Sequence, residues 1–414
     1  MIAHSRPATA ADAVRWLRSA SAVRARCNSV FEGCRRGGLD HFMLDERRFD
    51  AAADCVIETM RAAYGEFDIP LHSRWRHFSV GGVDRWGQLR ARLGDASRDE
   101  VARTAIELAV VSVLLDAGAG PLWRYKEPAT GATFARSEGL AIATFHLFAS
   151  GVLSARPGAI RADAATLVTI DAARLAQAFQ AGPDNPLLGI EGRAAILNRL
   201  GRAAASAPLL FGDEARIGNL YDALRGRAAG GRLEAATILA TLLEALESLW
   251  PSSRCLDGRP LGDVWFHPAA RTDDATDGLV PLHKLTQWLS YSLIEPLEEA
   301  GIGVTKLDAL TGLAEYRNGG LFIDLGVLVP RHGRVLGSVH GVDSEIVVEW
   351  RALTVTCLDQ VATRIRARLG LDAERLPLAR ILEGGTWRAG RRIAAALRPD
   401  GTPPIRVASD GTLF

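Results

Sequence analysis

A chain of 414 residues with 48% apolar side chains can bury a large core, and its length predicts two or three domains. Its formal net charge of +1 gives no field that would draw it to DNA, RNA or a membrane surface, so neither is an expected partner. The five cysteines are odd in number and lack a CxxC pair, which fits small buried hydrophobes rather than a disulfide or zinc framework.

No charged stretch followed by an apolar run opens the chain, so no secretory signal and a cytoplasmic location are expected. Apolar residues at steps of three and four predict helices over 8–26, 49–64, 98–117, 138–149, 163–181, 190–205, 213–227, 232–250, 282–300, 344–369 and 373–397. The most apolar of these carries Glu107 and Asp116 and is too short to span a bilayer. Asp163 and Ser344 are expected N-caps, and Gly151, Gly182, Gly301 and Gly370 expected stops. A hairpin is expected over 123–136 around Thr130-Gly131, and short strands within 320–332 and 404–414. The expected fold class is therefore mainly α, a multi-helix globular protein with a few short strands. The Pro- and Gly-rich stretch 251–277 is the expected boundary between an N-terminal helical part, 1–255, and a C-terminal helical part, 256–414, unless the two merge.

Three polar blocks interrupt apolar sequence between 281 and 355: His283-Lys284-Leu285-Thr286-Gln287-Trp288, Leu313-Ala314-Glu315-Tyr316-Arg317-Asn318-Gly319-Gly320, and Glu349-Trp350-Arg351-Ala352-Leu353-Thr354. A core needs only hydrophobes, so these charges and amides must find partners or a ligand. Lys284 with Gln287 forms one helical stripe suited to an anion, or else a solvated face. Glu315, Tyr316 and Arg317 precede a double glycine read as a turn that admits a ligand, or as a helix C-cap beside ordinary ion pairs. Glu349 and Arg351 sit among hydrophobes, so each is either paired structurally or turned to a ligand. Only three of the 49 basic residues are lysines, Lys126, Lys284 and Lys306, in a chain that otherwise writes its cations as arginine.

Arg74, Arg76 and His77 belong to His72-Ser73-Arg74-Trp75-Arg76-His77-Phe78, whose cations and rings suit a sugar or phosphate. Its spacing is not that of a metal-binding helix, and no metal is expected. Ser137 is read as an N-cap, with Glu138 in the first turn of the helix that follows. No GxGxxG, GxxxxGK[ST] or GxSxG pattern is present, which removes the mechanics of dinucleotide, nucleoside-triphosphate and serine-hydrolase chemistry.

Tyr125-Lys126-Glu127 to Leu140, Asn185-Pro186 to Arg193, the block from His283 and the segment 313–328 resemble the uracil catabolism proteins of the URC pathway, over about 21–397. That resemblance implies the step after uracil-ring opening, in which ribosylurea or its 5′-phosphate gives urea and a ribose. His283 to Gln287, Ala314 to Arg317 and Glu349 to Ala352 also resemble, in the same order, three blocks of the queuosine-salvage N-glycosidases, helical proteins similar in fold to DNA glycosylases. This implies a DNA-glycosylase-like helical core, with Glu315 standing where those enzymes carry a shorter aspartate.

Breaking a C1′–N bond builds positive charge on the sugar, which a carboxylate stabilises. With the resemblance, Glu315 is the expected carboxylate at C1′, and Asp324 and Glu349 the expected acid or sugar-hydroxyl ligands. Lys284, Arg317 and Arg351 would hold a 5′-phosphate, Tyr316 would orient the ring, and Gln287, Arg74, Arg76, His77 and Glu138 would complete the pocket. The chemistry requires no cofactor, and the expected partner is a small ribosyl molecule. The alternative is a helical sensor that binds a pyrimidine catabolite without turning it over.

Overall fold

The computed structural model describes residues 9–250 and 254–408. Ala8 of the first expected helix, 251–253 of the expected boundary and 409–414 of the last expected strand lie outside the described residues. The chain is mainly α-helical, and among the described residues every sheet has two strands. No described helix is long and apolar enough to cross a membrane.

By internal contacts the chain forms two units, and among the described residues it passes between them after His72, Trp250, Gln287 and Thr305. Of the described residues the first unit takes 9–72, 254–287 and 306–408. Its centre is the buried helix Glu345–Leu369, packed against Ala20–Arg35 and Phe49–Tyr64. Val14 and Leu17 close over Leu261 and Val264, which ties the first helix to the 251–287 segment. Short ladders join distant stretches: Phe42–Leu44 runs antiparallel to Leu328–Pro330, Val264–Phe266 antiparallel to Leu279–Pro281, and Val339–Gly341 parallel to Arg406–Ala408.

The second unit is built on helices Arg98–Leu114, Arg136–Ala149 and Ile190–Ala205. The expected hairpin is there, pairing Tyr125–Lys126 with Thr133–Phe134. Arg232–Glu234, expected as helix, is a strand parallel to Gly303–Thr305, and the helix begins only at Ala235.

Several expected elements differ for local reasons. The first helix is two, Ala10–Leu17 and Ala20–Arg35, because Ser19 ends one and caps the other. Its Oγ accepts from Ala22 N–H at 3.1 Å and donates to the Trp16 carbonyl at 2.6 Å. The stretch 163–181 breaks at Asp171, which caps Ala172–Ala178. In 373–397 a π-helical turn, Leu382–Thr386, precedes Trp387–Leu397, where Gly384 and Gly385 press against Ile69 and Val56. Asn318-Gly319-Gly320 is neither a turn nor a C-cap but lies inside the helix Tyr316–Asp324. A Cβ on Gly319 would stand 2.6 Å from the Trp350 ring, so that glycine serves close packing rather than a ligand or a positive φ.

Candidate functional site

The three polar blocks meet in the first unit, and they meet at a residue the sequence reading passed over. Asp263 opens the strand Val264–Phe266 and is 5% exposed. Its Oδ1 and Oδ2 accept from Arg351 Nη1 and Nη2, each at 2.8 Å. Oδ2 also accepts from the backbone N–H of Lys284 at 2.9 Å, and Oδ1 from Trp265 Nε1 at 2.6 Å. Burial raises the Asp263 pKa, but the Arg351 charge and these hydrogen bonds outweigh it and hold the carboxyl at about 2. Arg351 Nε donates to the carbonyl of Ala314 at 3.2 Å, one residue before Glu315. Asp263 and Arg351 thus bind the start of the Lys284 helix to the start of the Tyr316 helix. A single acid leading an apolar strand beside a buried arginine was the signal available for Asp263.

Gln287 supplies a second tie between the same blocks. Its Nε2 donates to Thr311 Oγ1 at 2.7 Å and its Oε1 accepts from Thr311 N–H at 3.4 Å, both residues being buried. Gln287 and Arg351, expected at an anion or phosphate, are thus both engaged in buried ties between the blocks. His283 is buried beside them with Nε2 donating to the Leu17 carbonyl at 2.9 Å, and burial lowers its pKa.

Glu315 is the N-cap of Tyr316–Asp324, accepting from Arg317 N–H at 2.9 Å and Asn318 N–H at 2.6 Å. A glutamate is one methylene longer than the usual aspartate cap, so satisfying two amides with it fixes the carboxylate at the mouth of the helix. It keeps 8% of its surface. Next to it, the Arg317 guanidinium lies 5.4 Å from the Tyr316 ring centroid and 4.6 Å from that of Trp387, a cation–π stack. Lys284, at the first position of its helix, is half-buried.

Asp324 does not join this group. It ends the helix that Glu315 begins, and nine residues at 1.5 Å each place the two backbones about 13 Å apart. Arg398 Nη1 and Nη2 hold it at 2.9 and 2.6 Å. Asp324 is thus engaged in an ion pair at the far end of that helix. Glu349 is fully buried and also engaged: Oε1 accepts from Phe42 N–H at 2.9 Å and Oε2 faces His267 Nε2 at 3.3 Å. Because His267 Nδ1 accepts from Ala269 N–H, Nε2 carries the proton given to Glu349.

Arg74, Arg76, His77 and Glu138 belong to the second unit. Arg74 is fully buried, with Nε donating to Ser112 Oγ at 2.8 Å and Nη1 3.1 Å from Asp116 Oδ1. Its guanidinium lies 5.5 Å from the Trp288 centroid, and the His77 ring meets the same indole edge-on at 6.0 Å. Arg76 pairs with Glu295, which also receives the Ser73 hydroxyl. Ser137 does not cap its helix. Ala135 holds that position, while Ser137 Oγ donates to Asp116 and its carbonyl accepts from Arg74. Glu138 lies in the helix's first turn, where its charge acts on Arg74. A concavity of about 700 Å³ elsewhere in this unit, bordered by Arg90, Arg98, Pro296 and Glu299, contains none of these four residues.

A helical chain whose polar blocks converge on a buried Asp–Arg pair beside a capping glutamate is the class of protein the fold and site define. The chain belongs to the family described as protein of unknown function DUF1688, whose model matches residues 16–414. It is 38% identical to a protein named Uracil catabolism protein 4 from Lachancea kluyveri, over 97% of this chain and 99% of that one. It is 37% identical to a protein named Protein urg3 from Schizosaccharomyces pombe, again over 97% and 99%.

Proposed function

We propose that this protein acts in uracil catabolism as a cytoplasmic N-glycosidic hydrolase that releases urea from ribosylurea or its 5′-phosphate. The relative from Lachancea kluyveri, similar over 97% of this chain, carries the uracil catabolism name. The observation that carries the chemical reading is the convergence of the Lys284, Glu315 and Arg351 blocks on Asp263, which leaves Glu315 as the carboxylate edge at their meeting point. The same three blocks carry the resemblance to queuosine-salvage N-glycosidases, and a DNA-glycosylase-like arrangement of the helices belongs to this proposal.

In this reaction the C1′–N bond breaks with its electron pair leaving on the urea nitrogen. Water supplies the hydroxyl that bonds to C1′ and the proton that completes urea. Glu315 faces the developing oxocarbenium charge and orients the water. Its two backbone amide bonds keep it from swinging away, so the carboxylate is pre-placed before substrate arrives. Tyr316 and Arg317 recognise the sugar or its phosphate, with Lys284 as the compact cation that arginine cannot mimic. Asp263, Arg351 and Gln287 hold these groups in register. Urea release from both compounds, measured for wild type and Glu315→Gln, tests the proposal.

A further inference from the structure

His41 directly precedes Phe42, whose N–H is taken by Glu349, so the edge of the Phe42–Leu44 strand lays His41 against the first turns of Glu345–Leu369. Glu345 and Glu349 are four residues apart and share one face of that helix. One nitrogen of His41 and one carboxylate oxygen of each glutamate all lie within 4.8 Å of one another. His41 Nε2 is the nitrogen on that side, 3.7 Å from Glu345 Oε1. On the other side of the ring, His41 Nδ1 lies 3.0 Å from His332 Nε2.

We propose that His41 Nε2, Glu345 and Glu349 form a site for a divalent cation, oriented by His332 and His267. The outer contacts are those that metal ligands need. A proton on His41 Nδ1 given to His332 leaves the Nε2 lone pair facing the two carboxylates, and the His267 proton fixes Glu349. One imidazole and two carboxylates suit Zn²⁺ or Mn²⁺ rather than a soft ion, and three protein ligands leave positions for water or an oxygen ligand. The helix N-terminus opposes a cation here, so affinity comes from the two carboxylate charges and the imidazole. The three ligands come from separate segments or from a bare i, i+4 glutamate pair, which is why no spacing in the sequence announces them.

The test uses the full chain, stripped with a chelator and titrated calorimetrically with ZnCl₂ and with MnCl₂. One ion binds per chain, and Glu345→Gln and His332→Ala each weaken binding by about 10- to 100-fold. Glu345 is 42% exposed, so its variant keeps the fold, and cooperative melting of both variants verifies this. At equal ion concentration the ion raises the melting temperature of wild type more than that of Glu345→Gln. Absence of saturable binding of either ion by wild type, or equal binding by wild type and both folded variants, overturns the site.

Discussion

Asp263 and Arg351 lie 88 residues apart in sequence and face each other through two parallel hydrogen bonds of 2.8 Å, both side chains being buried. Through Lys284 N–H on one side and the Ala314 carbonyl on the other, this pair fixes where the helices Lys284–Glu299 and Tyr316–Asp324 begin. Removing one partner leaves an unpaired charge in the core. Asp263→Asn is expected to destabilise the protein by about 3–5 kcal/mol, and Arg351→Met by a similar amount. Urea denaturation of both single variants and the double variant measures this. A double variant more stable than the sum of its singles is expected, because neither charge is then stranded.

The same pair sets an acid dependence. The folded Asp263 carboxyl is held down from 3.8 to about 2. A depressed carboxyl pKa stabilises the fold above the unfolded value, and that stability is lost as pH falls through the folded one. Roughly 2–3 kcal/mol is therefore lost progressively between about pH 5 and pH 1, most of it between pH 4 and pH 2. The unfolding free energy of Asp263→Asn should fall less steeply than that of wild type across this window.

Gly319→Ala is expected to destabilise, against the usual gain from placing alanine in a helix. The new methyl would stand 2.6 Å from the Trp350 ring and 2.8 Å from Thr354 Oγ1. Overpacking of this kind costs about 1–3 kcal/mol, more than the 1 kcal/mol that helix propensity returns. Thermal melts decide the sign.

Asp324→Asn separates the two carboxylates of one helix. It breaks the bidentate pair with Arg398, in which the Asp324 side chain is 6% and the Arg398 side chain 24% exposed, so the loss of stability is about 1–3 kcal/mol. Urea release should persist, because Asp324 and Glu315 occupy opposite ends of the helix. A folded Asp324→Asn variant without activity would return Asp324 to the chemistry.

Helices such as Phe49–Tyr64 and Ile190–Ala205 were legible in the sequence to the residue, because apolar positions recur on one face and local preference agrees with the fold. Tyr316–Asp324 was not, since Asn-Gly-Gly argues for a stop. It forms because Glu315 caps it and Trp350 packs where a Cβ would be. The polar blocks of the site were legible because buried charges need partners. Their partners were not: Asp263, His267 and Thr311 answer Arg351, Glu349 and Gln287 across long stretches of chain, and no local pattern encodes such pairings.

The central claim rests on Glu315. Exchange to glutamine leaves a carbonyl to accept one backbone N–H and loses the other cap bond, costing about 1 kcal/mol while removing the charge. The decisive measurement is urea release from ribosylurea and its 5′-phosphate by wild type and by Glu315→Gln, with melting curves for both. The account predicts release by wild type and a loss of about 10²-fold or more in a folded Glu315→Gln. Saturable binding of either compound without release by wild type, or full release by the variant, would contradict it.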